Sequence, residues 1–232
     1  MDTVARTHAP AASAQPDSAT RRWFAGWLLM AAASFAAYPA LRPYGPETGL
    51  EGARDFASNA WVVSHLLGVL GFVAIAMATR VAAHSPRVWA GPWTDRLRST
   101  RWAHATETRA WWAVALLLPY YGAEAFGLAA VAREALGRND TSLLVIADDF
   151  RYSSLALATF SLGLGALLLV GGRLAHGTFT AGGPARVGGL LAGFALATYS
   201  LQFFLPPAGR IAHGVVLATG LALVAWGTPR HR

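Results

Sequence analysis

The run NAWVVSHLLGVLGFVAIAMAT, residues 59–79, decides the fold. It is long enough to cross a hydrocarbon core of ~30 Å, since a helix rises ~1.5 Å per residue. Its one ionisable side chain is His65. With no water in that core, backbone groups must bond within the segment, so the run reads as a membrane helix. Five further apolar stretches repeat the pattern, at 23–41, 110–132, 153–171, 187–205 and 208–226. The alternation of a membrane β-strand is absent. The expected fold is therefore all-α: a polytopic transmembrane bundle of about six spans, over residues 23–226. Residues 1–22 read as a cytoplasmic tail, disordered over 1–20, and 227–232 as a second tail.

Composition agrees. Of 232 residues, 54% are hydrophobic and 13% charged, and the mean hydropathy is +0.38. Soluble domains carry about a quarter charged residues, so half the usual charge is missing. There is no cysteine, which excludes disulfides, thiolate metal sites and Cys nucleophiles. All 19 basic residues are Arg, which excludes a Schiff-base or phosphate-loop lysine. Together with abundant Ala, Gly and Leu, the missing Lys points to a GC-rich bacterial genome. The net charge of +7 does not mark a nucleic-acid partner, because the arginines flank apolar runs and form no single patch.

Those arginines set the orientation. With the N-terminus inside, the cytoplasmic segments hold 13 Arg and the outer segments 6. Acidic residues run the other way, with seven outside and four inside. Eight of nine Trp fall at the inner interface, and only Trp61 at the outer one. The expectation is both termini in the cytoplasm and location in a bacterial plasma (inner) membrane. Thr20-Arg21-Arg22-Trp23-Phe24 resembles a twin-arginine export signal, but five later spans argue against folded soluble cargo. The loop 80–108, with Arg96, Arg98, Arg101, Trp89, Trp93 and Trp102, reads as an ordinary basic loop. Its alternative is an anionic-headgroup binder.

Ionisable groups inside spans are costly, so each marks a functional candidate. His65, Glu124 and His213 lie in three different spans, all roughly 7–11 Å below the outer boundary at 1.5 Å per residue. Tyr120 and Tyr121 precede Glu124 by four and three residues, on its helical face, and Pro119 predicts a kink just below. Tyr199 and Gln202, then Arg210 and His213, extend the polar group, and Tyr38 closes the first span on the same side. The pocket candidates are thus His65, Tyr120, Tyr121, Glu124, Tyr199, Gln202, Arg210 and His213.

Four readings stay open: a binding pocket or proton-coupled path, a metal ion on His65, Glu124 and His213, a haem between His65 and His213, or plain hydrogen bonds between helices. The first is preferred. A metal- or haem-dependent redox or hydrolytic protein is the alternative, and an accessory subunit a third. Ser64 adjoins His65 but points about 100° away, which argues against a catalytic Ser–His pair. Asp148 and Asp149 read as caps of the fourth span or as partners of Arg151. The apolar run from Ser142 to Asp149 is expected over the mouth.

Small residues recur at four-residue spacing: Gly189 with Gly193, Ser161 with Gly165, Gly214 with Ala218. Such faces pack helices within a bundle or between copies of the chain, so a homo-oligomer is a candidate partner state beside the lipid bilayer. As a set, Tyr38-Pro39-Ala40-Leu41-Arg42-Pro43, Trp61 through His65, and Pro119 through Gly127 resemble uncharacterised multi-pass membrane proteins of GC-rich bacteria. The resemblance covers most of the chain after residue 22 and implies no functional residue.

Overall fold

The computed structural model describes residues 18–85, 100–179 and 182–227. Among these, every regular element is helical and no strand occurs. Helix α1 is Ser18–Leu41, α2 is Gly49–Ala57 and α3 is Asn59–His84. Then follow α4 (Thr100–Gly122), a π-helical turn (Ala123–Gly127) and α5 (Leu128–Arg138). A 3₁₀ turn (Thr141–Leu144) leads to α6 (Val145–Arg151) and α7 (Ser154–Thr178). The chain ends with α8 (Gly183–Ala197), a 3₁₀ turn (Tyr199–Phe204) and α9 (Pro207–Trp226). The expectations for Trp89, Trp93, Arg96 and Arg98, and for the tails at 1–17 and 228–232, lie outside the described residues. Residues 18–20, read as disordered tail, are helical.

Among the described residues five helices are long and apolar enough to cross a membrane: Ser18–Leu41, Asn59–His84, Trp102–Arg138, Ser154–Thr178 and Pro207–Trp226. The stretch at 187–205 differs from expectation. There the α-helix stops at Ala197 and a 3₁₀ turn continues to Phe204. Thr198 through Ser200 break the apolar run, and Thr198 Oγ1 bonds back to the Phe194 carbonyl, 2.9 Å away. The third span is longer than expected at both ends. Its 37 residues reach ~55 Å, well beyond a ~30 Å core.

The six long helices close into a ring in chain order. α1 packs on α3, α3 on α4, α4 on α7, α7 on α8, α8 on α9, and α9 returns to α1. Phe35, Phe72, Leu117, Leu217 and Leu221 are buried in its centre, while Leu155, Leu162 and Phe194 point outward, each more than 60% exposed. Glycines set the closest crossings. A Cβ on Gly188 would lie 2.6 Å from the Gly220 carbonyl oxygen, and one on Gly171 equally near that of Gly193. Pro39 leaves the Phe35 carbonyl without its helical partner, and Gly214 packs over that oxygen. Gly189 meets Thr178. Gly189, Gly193 and Gly214 are thus used inside the bundle, not between copies. Gly165 is the exception, with nothing within 4 Å.

At one end of the ring the helices carry a cap. α2, the 3₁₀ turn at Thr141–Leu144 and α6 gather around α5, which projects past the ring. Phe56, Trp61, Leu128, Ala132 and Ala147 form a second small core there. Ser58 Oγ starts α3 by accepting from the Trp61 amide at 3.1 Å, an N-cap that satisfies one orphan donor. Ser153 does the same for α7 through Ala156 N, so neither Asp148 nor Asp149 caps that helix.

Candidate functional site

Pro119 does not end α4. The irregularity falls one turn later, where residues 123–127 widen into a π-turn and Leu128 N bonds the Ala123 carbonyl. Such turns expose backbone carbonyls that an α-helix would hide. Here Trp61 Nε1 donates to the Glu124 carbonyl at 2.8 Å, which ties α3 to the turn.

The Glu124 side chain is buried at 5% exposure and meets a cation that arrives from the cap. Arg151 Nε donates to Glu124 Oε1 at 2.8 Å, and Arg151 Nη2 donates to Glu47 Oε2 at 2.9 Å. Arg42 holds the other oxygen of Glu47, also at 2.9 Å, and lies 4.5 Å from the centre of the Trp61 ring. The chain of charge is therefore Arg42–Glu47–Arg151–Glu124. Burial pushes the Glu47 carboxyl up, but the hydrogen bond and charge of Arg151, then those of Arg42, hold it below its ordinary value.

Across from Glu124 stands His65, 4% exposed. Its Nδ1 is 2.8 Å from the Trp61 carbonyl oxygen, an acceptor, so that nitrogen carries a proton. Its Nε2 then faces Glu124 Oε2 at 4.0 Å, too far for a hydrogen bond. Tyr38, Trp61 and Tyr121 surround the imidazole, with ring centres 4.5 to 6.0 Å away.

These groups wall a cavity of roughly 550 Å³ at the capped end. One side is polar: Tyr38, Arg42, Glu47, His65, Tyr120, Tyr121, Glu124, Arg151, Tyr152 and Arg210. The other is mostly apolar, from α7 (Leu157, Phe160, Ser161, Leu164) and the last 3₁₀ turn (Ser200, Phe203, Phe204). Tyr120 stacks on Phe160 at 4.2 Å. Arg210 donates to the carbonyls of Leu205 and Phe203 at 3.0 and 2.7 Å, and no carboxylate pairs with it among the described residues.

Five of the eight pocket candidates line this cavity: His65, Tyr120, Tyr121, Glu124 and Arg210. Tyr199 lies behind the floor, its hydroxyl 3.2 Å from that of Tyr121. Gln202 is buried beside it, with Nε2 unpartnered. His213 is displaced around the ring. Its Nε2 is 3.4 Å from Thr198 Oγ1 and its ring packs on Tyr199 at 5.9 Å.

The expected metal set of His65, Glu124 and His213 is therefore not assembled. Among the described residues no group of three or more His, Asp or Glu side chains could hold a metal ion. The haem arrangement fails on the same geometry. Tyr121 and Tyr199 sit between the two histidines, in the space a macrocycle would need. Equal depth in the sequence did not distinguish adjacent helices from helices separated around a ring.

Arg42, Glu47, Arg151 and Tyr152 were the missed residues. The sequence shows them as charges and a ring in connecting segments, where the arginines serve the orientation count. Only the partner suggested for Asp148 and Asp149 pointed at Arg151, and its true partners are Glu47 and Glu124. The apolar run from Ser142 to Asp149 does lie in the cap. Ala147 is buried there, while Val145 and Ile146 are exposed.

Comparison with protein-family profiles, curated proteins and solved structures finds no match for this chain.

Proposed function

We propose that this is a six-span plasma-membrane protein of a bacterium, with both termini cytoplasmic, that binds a small polar ligand in the cavity of its capped, outward-facing end. The fifth crossing is α8 extended by the 3₁₀ turn: 15 α-helical residues plus six in the turn reach ~34 Å at 1.5 and 2.0 Å per residue. The Arg and Trp distribution supports the orientation.

One observation carries the binding reading. The buried side chains of His65 and Glu124 face each other on the wall of a cavity, with Nε2 and Oε2 4.0 Å apart and no direct hydrogen bond between them. That separation leaves room for a ligand group beside the open cavity: an ammonium there can donate to both atoms, a hydroxyl to one of them. The volume falls in the range of small-molecule sites, ~300–1,000 Å³. Passage through the bundle would require the packed Phe35, Phe72 and Leu117 layer to part, so binding is preferred to conduction.

The test uses phosphoethanolamine, which carries a donor group and an anion. Thermal unfolding of the purified protein should shift upward by several degrees at millimolar probe, and the Glu124→Gln variant should lose the shift while remaining folded. An unshifted wild type, or an equal shift in Glu124→Gln, sinks the reading.

A further inference from the structure

Part of the cavity's apolar wall is exposed where α7 passes the last 3₁₀ turn, although Phe160 and Phe203 join the two with ring centres 5.6 Å apart. Gly171 marks where α7 meets the last turn of α8: a Cβ there would lie 2.6 Å from the Gly193 carbonyl oxygen and 2.8 Å from Ala197 N. Beyond Ala197, α8 has ended. From that level outward, α7 faces a 3₁₀ turn instead of a helix.

The exposure of the wall follows this break. Leu157 is 42% exposed and Phe204 87%, although both line the cavity. Ser161 is also exposed and lines it. It lies seven residues into α7, so the exposed part of the wall reaches ~10 Å from the start of that helix. An aqueous pocket for a fully soluble ligand has no need of exposed apolar wall at this depth.

Charge decides what enters. Among the described lining residues, Arg42, Arg151 and Arg210 oppose Glu47 and Glu124. The excess is one positive charge. Arg42 and Arg151 are held by the glutamates. Among the described residues Arg210 is engaged by two backbone carbonyls and the Tyr44 ring. A guanidinium has five N–H donors, so three of those on Arg210 remain for an anion.

The geometry points to an anionic phospholipid of the outer leaflet as the ligand: its phosphate on Arg210, its headgroup hydroxyls between His65 and Glu124, and its acyl chains running out over the exposed wall at Leu157, Ser161 and Phe204. This rests on the binding reading above and adds the ligand class and its route.

Native mass spectrometry of the protein in neutral detergent tests it, with dioleoylphosphatidylglycerol and dioleoylphosphatidylcholine as competing probes. The expected result is one phosphatidylglycerol retained per chain, at least tenfold over phosphatidylcholine. Arg210→Gln should bring the ratio to within twofold, whereas Arg133→Gln, the same charge change on the exposed surface, should leave it intact. Ser161→Trp, at an exposed position where folding is not at stake, should block lipid retention. Equal retention of the two lipids overturns the inference, as does an unchanged ratio in Arg210→Gln or lipid bound normally by Ser161→Trp. If phosphoethanolamine stabilises the protein but phosphatidylglycerol is not retained, the lipid assignment falls alone. If neither binds, both fall.

Discussion

Replacing Arg151 by Gln should cost more stability than any other single change at the capped end. The side chains of Arg151 and Glu124 are only 10% and 6% exposed, and their contact is 2.8 Å. At an effective dielectric of about 20, two unit charges ~4 Å apart attract by about 4 kcal/mol. Removing one partner of a buried pair costs about 3–5 kcal/mol, because the other charge stays behind uncompensated. Glu124→Gln/Arg151→Gln removes both charges and should cost clearly less than the two single losses added, with a coupling of about 2–3 kcal/mol. The assay is reversible unfolding in mixed micelles of a mild detergent and dodecyl sulfate, with all four proteins at pH 7. Additive losses, within about 0.5 kcal/mol, would falsify the claim that the pair acts as a unit.

The same titrations at lower pH test the Glu47 arm. Its carboxyl is held below the ordinary value of 4.5. A depressed folded-state pKa contributes stability above the unfolded value, and that contribution disappears as pH falls through the folded one. Wild type should therefore lose stability progressively below about pH 4.5, and Arg151→Gln, already without the main partner of Glu47, should lose less over that window.

Two further outcomes are expected. Gly220→Ala puts a methyl group against the backbone of Gly188 and Ala192 and should destabilise by about 1–3 kcal/mol through overpacking, while Gly165→Ala, in open space, should change little; equal losses in dodecyl sulfate titrations would refute the α8–α9 crossing. Because the chain has no cysteine, Ser161→Cys is a clean reporter: a membrane-impermeant thiol reagent added to intact cells should label it, and labelling only after the cells are broken would reverse the proposed orientation.

How much of this was legible follows from which signals are local. An apolar run and its length are local, so the helices at 23–41, 59–79, 153–171 and 208–226 were readable from residues alone. The weak place was 187–205, where average hydropathy hides Thr198, Tyr199 and Ser200, and the backbone tightens into a 3₁₀ turn. Glu124, Tyr120, Tyr121 and His65 were found because a polar group in an apolar run stands out against its neighbours. Arg42, Glu47 and Arg151 stand among other polar residues, so nothing marks them. Arg42 meets Glu47 five positions on, but Arg151 reaches Glu124 and Glu47 over 27 and 104 positions, which no spacing rule encodes. His213 was misplaced for the converse reason: depth along a helix is readable from sequence, but the angle around a ring is set by packing.

These two kinds of information meet at Glu124. A carboxylate inside an apolar helix is costly without a partner, and among the described residues no other span supplies a cation to it. The partner comes from α6, seven residues long, in a segment that crosses nothing. Docking of the cap and burial of the Glu124 charge are thus one event. The π-turn makes that event possible by giving its carbonyl to Trp61 while the carboxylate takes Arg151. Glu124 Oε2 is then left toward His65 and the cavity. The cap neutralises one oxygen of the carboxylate and leaves the other available, which is the arrangement a binding site needs and a purely structural ion pair does not.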